Sequence, residues 1–154
     1  MRARYFEDFV VGQVLKPSGR ARVEKEEIVA FAKQYDPQPF HLDEEAGRKS
    51  IFGSLVASGW HTAALTMRLV AQSEHKAATG TIGLGFDGMR WPRPVLPGDE
   101  LRIETEVIEV RPSKSRPDRG LIKMRTRTLN QNGEVVQELI ANAMVPRRPT
   151  GEKP

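Results

Sequence analysis

Asp36 and His41 are the residues in this sequence best suited to move a proton together. Pro-Gln-Pro-Phe separates them, and the two prolines stiffen the backbone, so little entropy is lost in placing both side chains at one site. A carboxylate and an imidazole that share a water molecule can take a proton from it, and the pKa of histidine lies near neutral pH. The same spacing also fits a structural role, in which Asp36 caps a turn and His41 packs against a short helix. The prolines predict that the segment is neither a helix nor a central strand.

A second element is the stretch "ASGWHT", in which Gly59 precedes an apolar segment of helical character. A glycine at a helix N-terminus exposes backbone N–H groups at the positive end of the helix dipole, where they can bind an oxyanion or a polarised carbonyl. The alternative is that Gly59 only permits tight packing where the helix begins. Phe40 and Trp60 lie beside these residues and are expected to form a pocket wall.

Other chemistry has weaker support. Arg90 and Arg93 in "RWPRP" are candidates for contacting an anion such as CoA, with surface charge as the alternative. His41, Asp43 and His61 do not have the spacing of a metal site, so we expect no metal. The sequence has no cysteine, no Gly-x-Ser-x-Gly and no glycine-rich dinucleotide or phosphate loop that a helix follows.

Helical patterns dominate the first half of the chain and position these candidates. Ile28, Phe31, Ala32 and Tyr35 form a stripe at helical spacing, and this helix must end near Tyr35 because a proline follows the next residue. A short helix is expected after Asp43, which can cap it. A third helix is predicted within "SGWHTAALTMRLVAQSEHK", with Ser58 as its cap. Its composition is apolar around most of the circumference, which predicts burial on more than one side.

The second half alternates with the period of two that is typical of strands. The pattern covers "TIGLGFDGMRW", "DELRIETEVIEV", "GLIKMRTRTL" and "EVVQELIANAMV". "NQNGEV" between the last two predicts a two-residue hairpin loop, since Asn-Gly accepts positive φ. With an early strand within "VLKPSGRARV", about five antiparallel strands are expected. The predicted fold class is therefore α+β, with the sheet wrapped around a long central helix.

Bulk properties narrow the functional classes. The 154 residues suffice for one domain, which we place at residues 1–146, followed by a flexible tail at 147–154. A hydrophobic content of 38% and a charged content of 29% are those of a globular protein. The net charge is +4, but the basic residues lack a nucleic-acid-binding pattern. No apolar run approaches membrane-spanning length. We therefore expect a cytoplasmic protein that binds neither nucleic acid nor membranes.

The stretch "YDPQPFHLDEEAGRKSIFGSLVASGWHT" resembles the hydratase signature of the MaoC-like dehydratases, the (R)-specific enoyl-CoA hydratases of hot-dog fold. The family pattern is Asp-x-Asn-Pro-x-His-x-Asp, followed by an alanine, a phenylalanine and a glycine that begins the central helix. The later "RPVLPGDEL" is similar to the family's strand-entry pattern, so the resemblance extends from about Tyr5 to Val145. The matching positions of the signature are Asp36, Pro39, His41, Asp43, Ala46, Phe52 and Gly59.

The resemblance implies that Asp36 and His41 are catalytic and that Gly59 is the oxyanion-hole residue. Water would add reversibly across the C2=C3 bond of a 2-enoyl thioester of CoA or of an acyl carrier protein. No cofactor is implied, because the CoA thioester is itself the substrate. The pantetheine arm would enter between the subunits of a homodimer or a dimer of dimers, and an open sheet edge also favours a dimer.

The sequence departs from the family pattern at three positions, and two alternative functions stay open. Gln38 replaces the family's usual asparagine, Ser58 stands where many hydratases have histidine, and Trp60 replaces smaller residues. A tryptophan beside the oxyanion site would narrow or redirect the acyl pocket, which leaves short, branched and carboxylated acyl groups open. The alternative functions are a hot-dog thioesterase and a non-catalytic module that binds acyl thioesters.

Overall fold

A computed structural model describes residues 3–152 of the chain. After a 3₁₀ turn at Phe6–Asp8, the helices are α1 (Lys25–Tyr35), α2 (Pro39–Leu42), α3 (Glu44–Lys49) and α4 (Gly59–Ala71). The strands are β1 (Val14–Leu15), β2 (Ala21–Arg22), β3 (Ile82–Arg90), β4 (Glu100–Pro112), β5 (Arg119–Leu129) and β6 (Val135–Pro146). No helix in the described range is long and apolar enough to cross a membrane.

The strands form one six-stranded sheet whose named pairs are all antiparallel. Its order is β1-β4-β5-β6-β3, and β2 also pairs with β4. The predicted α+β hot-dog fold is therefore confirmed. The strand count exceeds five because the early segment divides into two short strands, and both pair with β4.

The alternation predicted for β4 is confirmed. Leu101, Ile103, Thr105 and Val107 all point inward and are buried. Part of this row joins Leu65 of α4 and other apolar side chains in the main core cluster. The long helix therefore packs on the face of the sheet that the period-two pattern marks as apolar.

Helix α4 buries a broad face and leaves a narrow stripe exposed. On one side of the buried face, the ring of His61 stacks on Phe31 of α1 with centroids 4.8 Å apart. On another side, Thr66 contacts the sheet. The prediction that α4 is buried on more than one side is therefore right, although Trp60 and Met67 remain exposed.

Helix α1 ends where the sequence predicted, and Asp36 is its C-cap residue. The expectation that no helix follows within the proline-rich segment is wrong, because α2 begins at Pro39. Proline is suited to the first position of a helix, where its missing N–H needs no partner and its fixed φ already matches. His41 therefore lies on one turn of helix.

The hairpin between β5 and β6 is confirmed, but its predicted two-residue loop is wrong. The loop covers residues 130–134, and the register shifts where Leu129 pairs with Val135. Gly133 has φ +74°. The side chain of Asn130 stabilises a five-residue loop, because its oxygen accepts hydrogen bonds from the backbone N–H groups of Asn132 and Glu134.

The predicted tail begins with two anchored residues. Arg147 Nε lies 3.0 Å from a carboxylate oxygen of Glu7, and the Arg148 guanidinium lies 2.7 Å from Asp8. The flexibility of residues 147–154 stays a prediction, and residues 153 and 154 lie outside the described range.

Replacing Ile28 by alanine should destabilise the fold, because Ile28 is fully buried in the main core cluster against α4 and the sheet. We expect a loss of about 2–5 kcal/mol in the free energy of unfolding, measured by denaturant titration. Ile51→Ala is the matched control, since Ile51 is 97% exposed. Equal losses in the two variants would contradict this packing.

Candidate active site

A backbone carbonyl fixes the orientation of the His41 ring. Its Nδ1 lies 2.6 Å from the carbonyl oxygen of Val56, and the Val56 N–H donates in turn to the carbonyl of Phe40. These bonds tie α2 to the segment that precedes α4. A carbonyl can only accept, so Nδ1 carries a proton, and in the neutral imidazole Nε2 is then a hydrogen-bond acceptor.

Asp36 faces that second ring nitrogen. The distance from its Oδ2 to His41 Nε2 is 3.4 Å, and the exposed fractions of the two side chains are 18% and 7%. Ser58 Oγ donates to Oδ2 at 2.6 Å, and the Gln38 amide donates to Oδ1 at 2.7 Å. The amide that replaces the family's asparagine therefore still makes a hydrogen bond in this loop.

The hydrogen bonds around Asp36 favour its charged form. The Ser58 hydroxyl is the largest cause that lowers the pKa of Asp36 below its ordinary value, followed by the Gln38 amide, while partial burial opposes them. Asp36 is therefore a carboxylate at neutral pH.

Gly59 begins α4 next to this pair. Ser58 caps the helix by accepting a hydrogen bond from the N–H of Trp60 at 3.2 Å. Within residues 3–152, the N–H of Gly59 has no hydrogen-bond acceptor. A Cβ at this position would lie 2.6 Å from Cε2 of Trp91, so tight packing does require a glycine. Its free N–H also leaves it available as an oxyanion donor.

Most of the predicted site residues share one cleft of about 430 Å³. Arg93 lines it, but its guanidinium lies 2.9 Å from a carboxylate oxygen of Glu134. Arg90 ends β3 on the exposed surface and is not part of the lining. The predicted residues that the cleft brings together are Asp36, Phe40, His41, Gly59, Trp60 and Arg93.

The sequence did not predict two features of the site. Ser58 was expected only as a helix cap, yet it also holds Asp36. Gln137 was not noticed, although its side chain accepts a hydrogen bond from the indole of Trp91 at 2.9 Å. The signal that could have identified Gln137 is a glutamine among the inward-facing apolar residues of the last strand.

Asp43 and His61, which the sequence offered as candidate metal ligands with His41, have other roles in the structure. Asp43 caps α3 by accepting from the N–H of Ala46, which confirms the predicted cap. His61 packs against Phe31, and its burial lowers its pKa. Within the described range, no three histidine or acidic side chains are grouped as potential metal ligands.

The site offers two hydrogen-bond acceptors, Asp36 and His41, and one donor, the N–H of Gly59. A carboxylate and a neutral imidazole Nε2 can each accept a hydrogen from one water molecule, which leaves the lone pairs of its oxygen free to attack. The Gly59 N–H can bind negative charge that develops on a carbonyl oxygen nearby. This combination suits the addition of water to a polarised double bond.

The family model for the MaoC-like domain matches residues 8–128. The chain belongs to the MaoC-like family. The crystal structure of a MaoC-like dehydratase from Rhodospirillum rubrum is 54% identical, with a TM-score of 0.90 over 96% of this chain and 99% of that one. The (R)-hydratase PhaJ1 from Pseudomonas aeruginosa is 30% identical, with a TM-score of 0.74 over 97% and 93% of the two chains. A 3-hydroxybutyryl-CoA dehydratase from Methylorubrum extorquens is 29% identical over 75% of this chain and 71% of its own.

Replacing Ser58 by alanine should raise the pKa of Asp36, because the variant removes the largest interaction that stabilises the carboxylate. The measurement is an NMR titration of the Asp36 side-chain carboxyl carbon. Loss of the helix cap should also lower stability by about 1 kcal/mol. Ser54→Ala is the control, since the Ser54 hydroxyl donates to the backbone carbonyl of Leu55. An unchanged Asp36 titration in Ser58→Ala would contradict the geometry.

Proposed function

We propose that this MaoC-like protein is an acyl thioester hydratase/dehydratase. It reversibly adds water to a 2-enoyl-CoA or an enoyl carrier protein and forms a 3-hydroxyacyl thioester. The observation that carries the proposal is the approach of Asp36 Oδ2 to His41 Nε2, 3.4 Å apart, in a cleft that Gly59 also lines. Membership of a family of hydratases and dehydratases supports the reaction class.

In the proposed reaction, Asp36 and His41 bind the water between them. The water oxygen attacks C3 of the enoyl thioester, and the electrons of the double bond move toward the thioester carbonyl. The pair accepts one proton from the water and returns one proton to C2, so no net proton is gained or lost. The reverse sequence removes water from the 3-hydroxyacyl thioester.

Gly59 has a separate role in the same proposal. Its N–H donates to the thioester carbonyl oxygen, which carries the negative charge of the enolate that forms during the addition. A backbone donor fixed at the start of a helix needs no reorganisation when that charge appears. The position of Gly59, between the capping residue Ser58 and the packed ring of Trp91, supports this assignment.

The competing functions predict different chemistry. A hot-dog thioesterase would need a carboxylate on the central helix to attack the thioester or activate water, and α4 contains no aspartate or glutamate. A module that only binds acyl thioesters would not need both Asp36 and His41. Release of free CoA from acyl-CoAs with little hydration would favour the thioesterase, and tight binding without turnover would favour the module.

Asp36→Asn and His41→Gln should each lower kcat for enoyl-CoA hydration by about 10²–10⁴-fold, because each removes one acceptor of the water-binding pair. Loss of absorbance by the conjugated thioester measures the rate across a panel of 2-enoyl-CoAs. Asp118→Asn and His75→Gln are matched controls away from the cleft. Circular dichroism should show an intact fold in every variant, and full activity in either cleft variant would refute the proposal.

We further propose that the functional unit contains a homodimer formed through β3. This strand is the free edge of the sheet, and it exposes Ile82, Leu84 and Phe86. An exposed edge of apolar residues is a site for pairing with another strand. Trp91 follows the last residue of β3, lines the cleft and packs on Trp60, so the cleft lies beside one end of the strand that a partner would cover. This supports entry of the pantetheine arm between subunits. The cytoplasmic location and a dimer of dimers stay predictions.

Phe86→Glu should convert the dimer into monomers, because it places a charge within the apolar edge. Light scattering coupled to size-exclusion chromatography should give two or four times the chain mass for the unmodified protein, and half of that mass or less for the variant. Ile51→Glu, at another exposed isoleucine, should leave the dimer intact. A monomeric unmodified protein would refute the proposed assembly.

A further inference from the structure

A second cavity lies along the same helix as the active-site cleft. It has a volume of about 360 Å³ and lies against the C-terminal half of α4. Its lining is mostly apolar, and the hydroxyls of Thr105 and Thr126 within it lie 3.0 Å from each other. The lining includes Leu15, Val70, Ile103, Thr105, Met124 and Thr126.

The cleft and the second cavity lie on one face of α4. Thr62 lines the cleft and Val70 lines the second cavity. Thr66 lies one turn from each, and residues four apart on a helix share a face. Thr66 therefore lies between the cleft and the second cavity along this face of the helix.

A group of buried polar side chains fills this intermediate position. Gln137 Nε2 donates to Thr66 Oγ1 at 3.2 Å, and the hydroxyls of Thr66 and Thr128 lie 2.6 Å apart. Thr128 and Gln137 are cross-strand partners on β5 and β6. We refer to Thr66, Thr128 and Gln137 as the polar partition. All three are at most 1% exposed.

The hydrogen bonds of the polar partition meet at the hydroxyl of Thr66. Thr66 donates to the carbonyl of Thr62 at 2.9 Å, so its oxygen is free to accept from both Thr128 and Gln137. The Gln137 Oε1 accepts from the indole of Trp91. An apolar chain that passed through would leave these buried groups without partners, which is unfavourable.

The polar partition also fixes the wall beside the reacting carbonyl. The ring of Trp91 lies against Gly59, and Gln137 holds that ring by its nitrogen. Trp60 packs on Trp91 in a T-shaped contact with centroids 5.6 Å apart. An acyl tail that follows α4 from Gly59 reaches Thr66 after about 10 Å, at about 1.5 Å per residue, which is roughly the length of an extended eight-carbon chain.

We propose that the polar partition closes the inner end of the cleft and restricts this protein to acyl groups of up to about eight carbons. The inference rests on the proposed hydratase function and identifies Gln137 and Thr66 as specificity-determining residues. The second cavity is the space that longer tails would occupy if the partition were removed. Neither residue belongs to the water-activating pair, so their substitution should change the choice of acyl group, and a ratio of kcat/KM between two substrates cancels any loss of rate that both substrates share.

The test compares hydration of trans-2-enoyl-CoAs with four, six, eight and ten carbons. In the unmodified protein, kcat/KM should fall at least about tenfold from the four-carbon to the ten-carbon substrate. Gln137→Ala and Thr66→Ala should each raise the ten-carbon to four-carbon ratio of kcat/KM by about tenfold, mainly through KM. Thr105→Ala is the matched control, since it enlarges the second cavity without opening the partition, and its ratio should not change.

Binding of saturated butyryl-CoA and decanoyl-CoA, measured by calorimetry, separates the pocket from the chemistry. The unmodified protein should bind butyryl-CoA more tightly, and both partition variants should gain affinity for decanoyl-CoA. If the unmodified protein hydrates and binds the ten-carbon compounds as well as the four-carbon ones, the inference is wrong and the hydratase function stands. If no enoyl-CoA is hydrated at any length, the proposed function fails, and the binding preference alone then decides whether the partition limits the pocket.

Discussion

The hydroxyl of Ser58 is the interaction on which the geometry of the site depends. It donates to the Asp36 carboxylate and accepts from the N–H of Trp60, so it joins the end of α1 to the beginning of α4. A hydroxyl can donate and accept at the same time, whereas an ionised carboxylate only accepts and alanine does neither. Since Ser58 is fully buried, a larger side chain has no room there. One small residue thus both favours the charged form of Asp36 and caps the helix that begins at Gly59.

Backbone hydrogen bonds fix the position of the segment that precedes α4. The segment before α4 is buried and is fixed to the rest of the molecule by the N–H of Ala57, which donates to the carbonyl of Val95. The preceding carbonyl, that of Val56, holds Nδ1 of His41. The ring therefore cannot turn its second nitrogen away from Asp36 without breaking a buried hydrogen bond, a change that costs about 1–3 kcal/mol.

The sequence predicted the elements whose signals are local. The alternation of Leu101, Ile103 and Val107 located β4, and the proline after Asp36 located the end of α1. The pattern around Asp36, His41 and Gly59 placed these residues in one site, and the structure brings them to one cleft. What could not be predicted depends on contacts between distant segments, such as the indole of Trp91 meeting Gln137. Local rules also failed where a side chain competed with them, as the Asn130 side chain does in the β5–β6 loop.

The requirement for glycine at position 59 follows from this distant contact. A side chain there would have to displace the ring of Trp91, which would remove the partner of Gln137 and disturb the hydroxyl of Thr66 in turn. Buried polar groups are stable only when all of their partners are present, so the disturbance would not stay local. The Gly59 N–H and the polar partition are therefore linked through the ring of Trp91, so a substitution at either end disturbs the packing of the other.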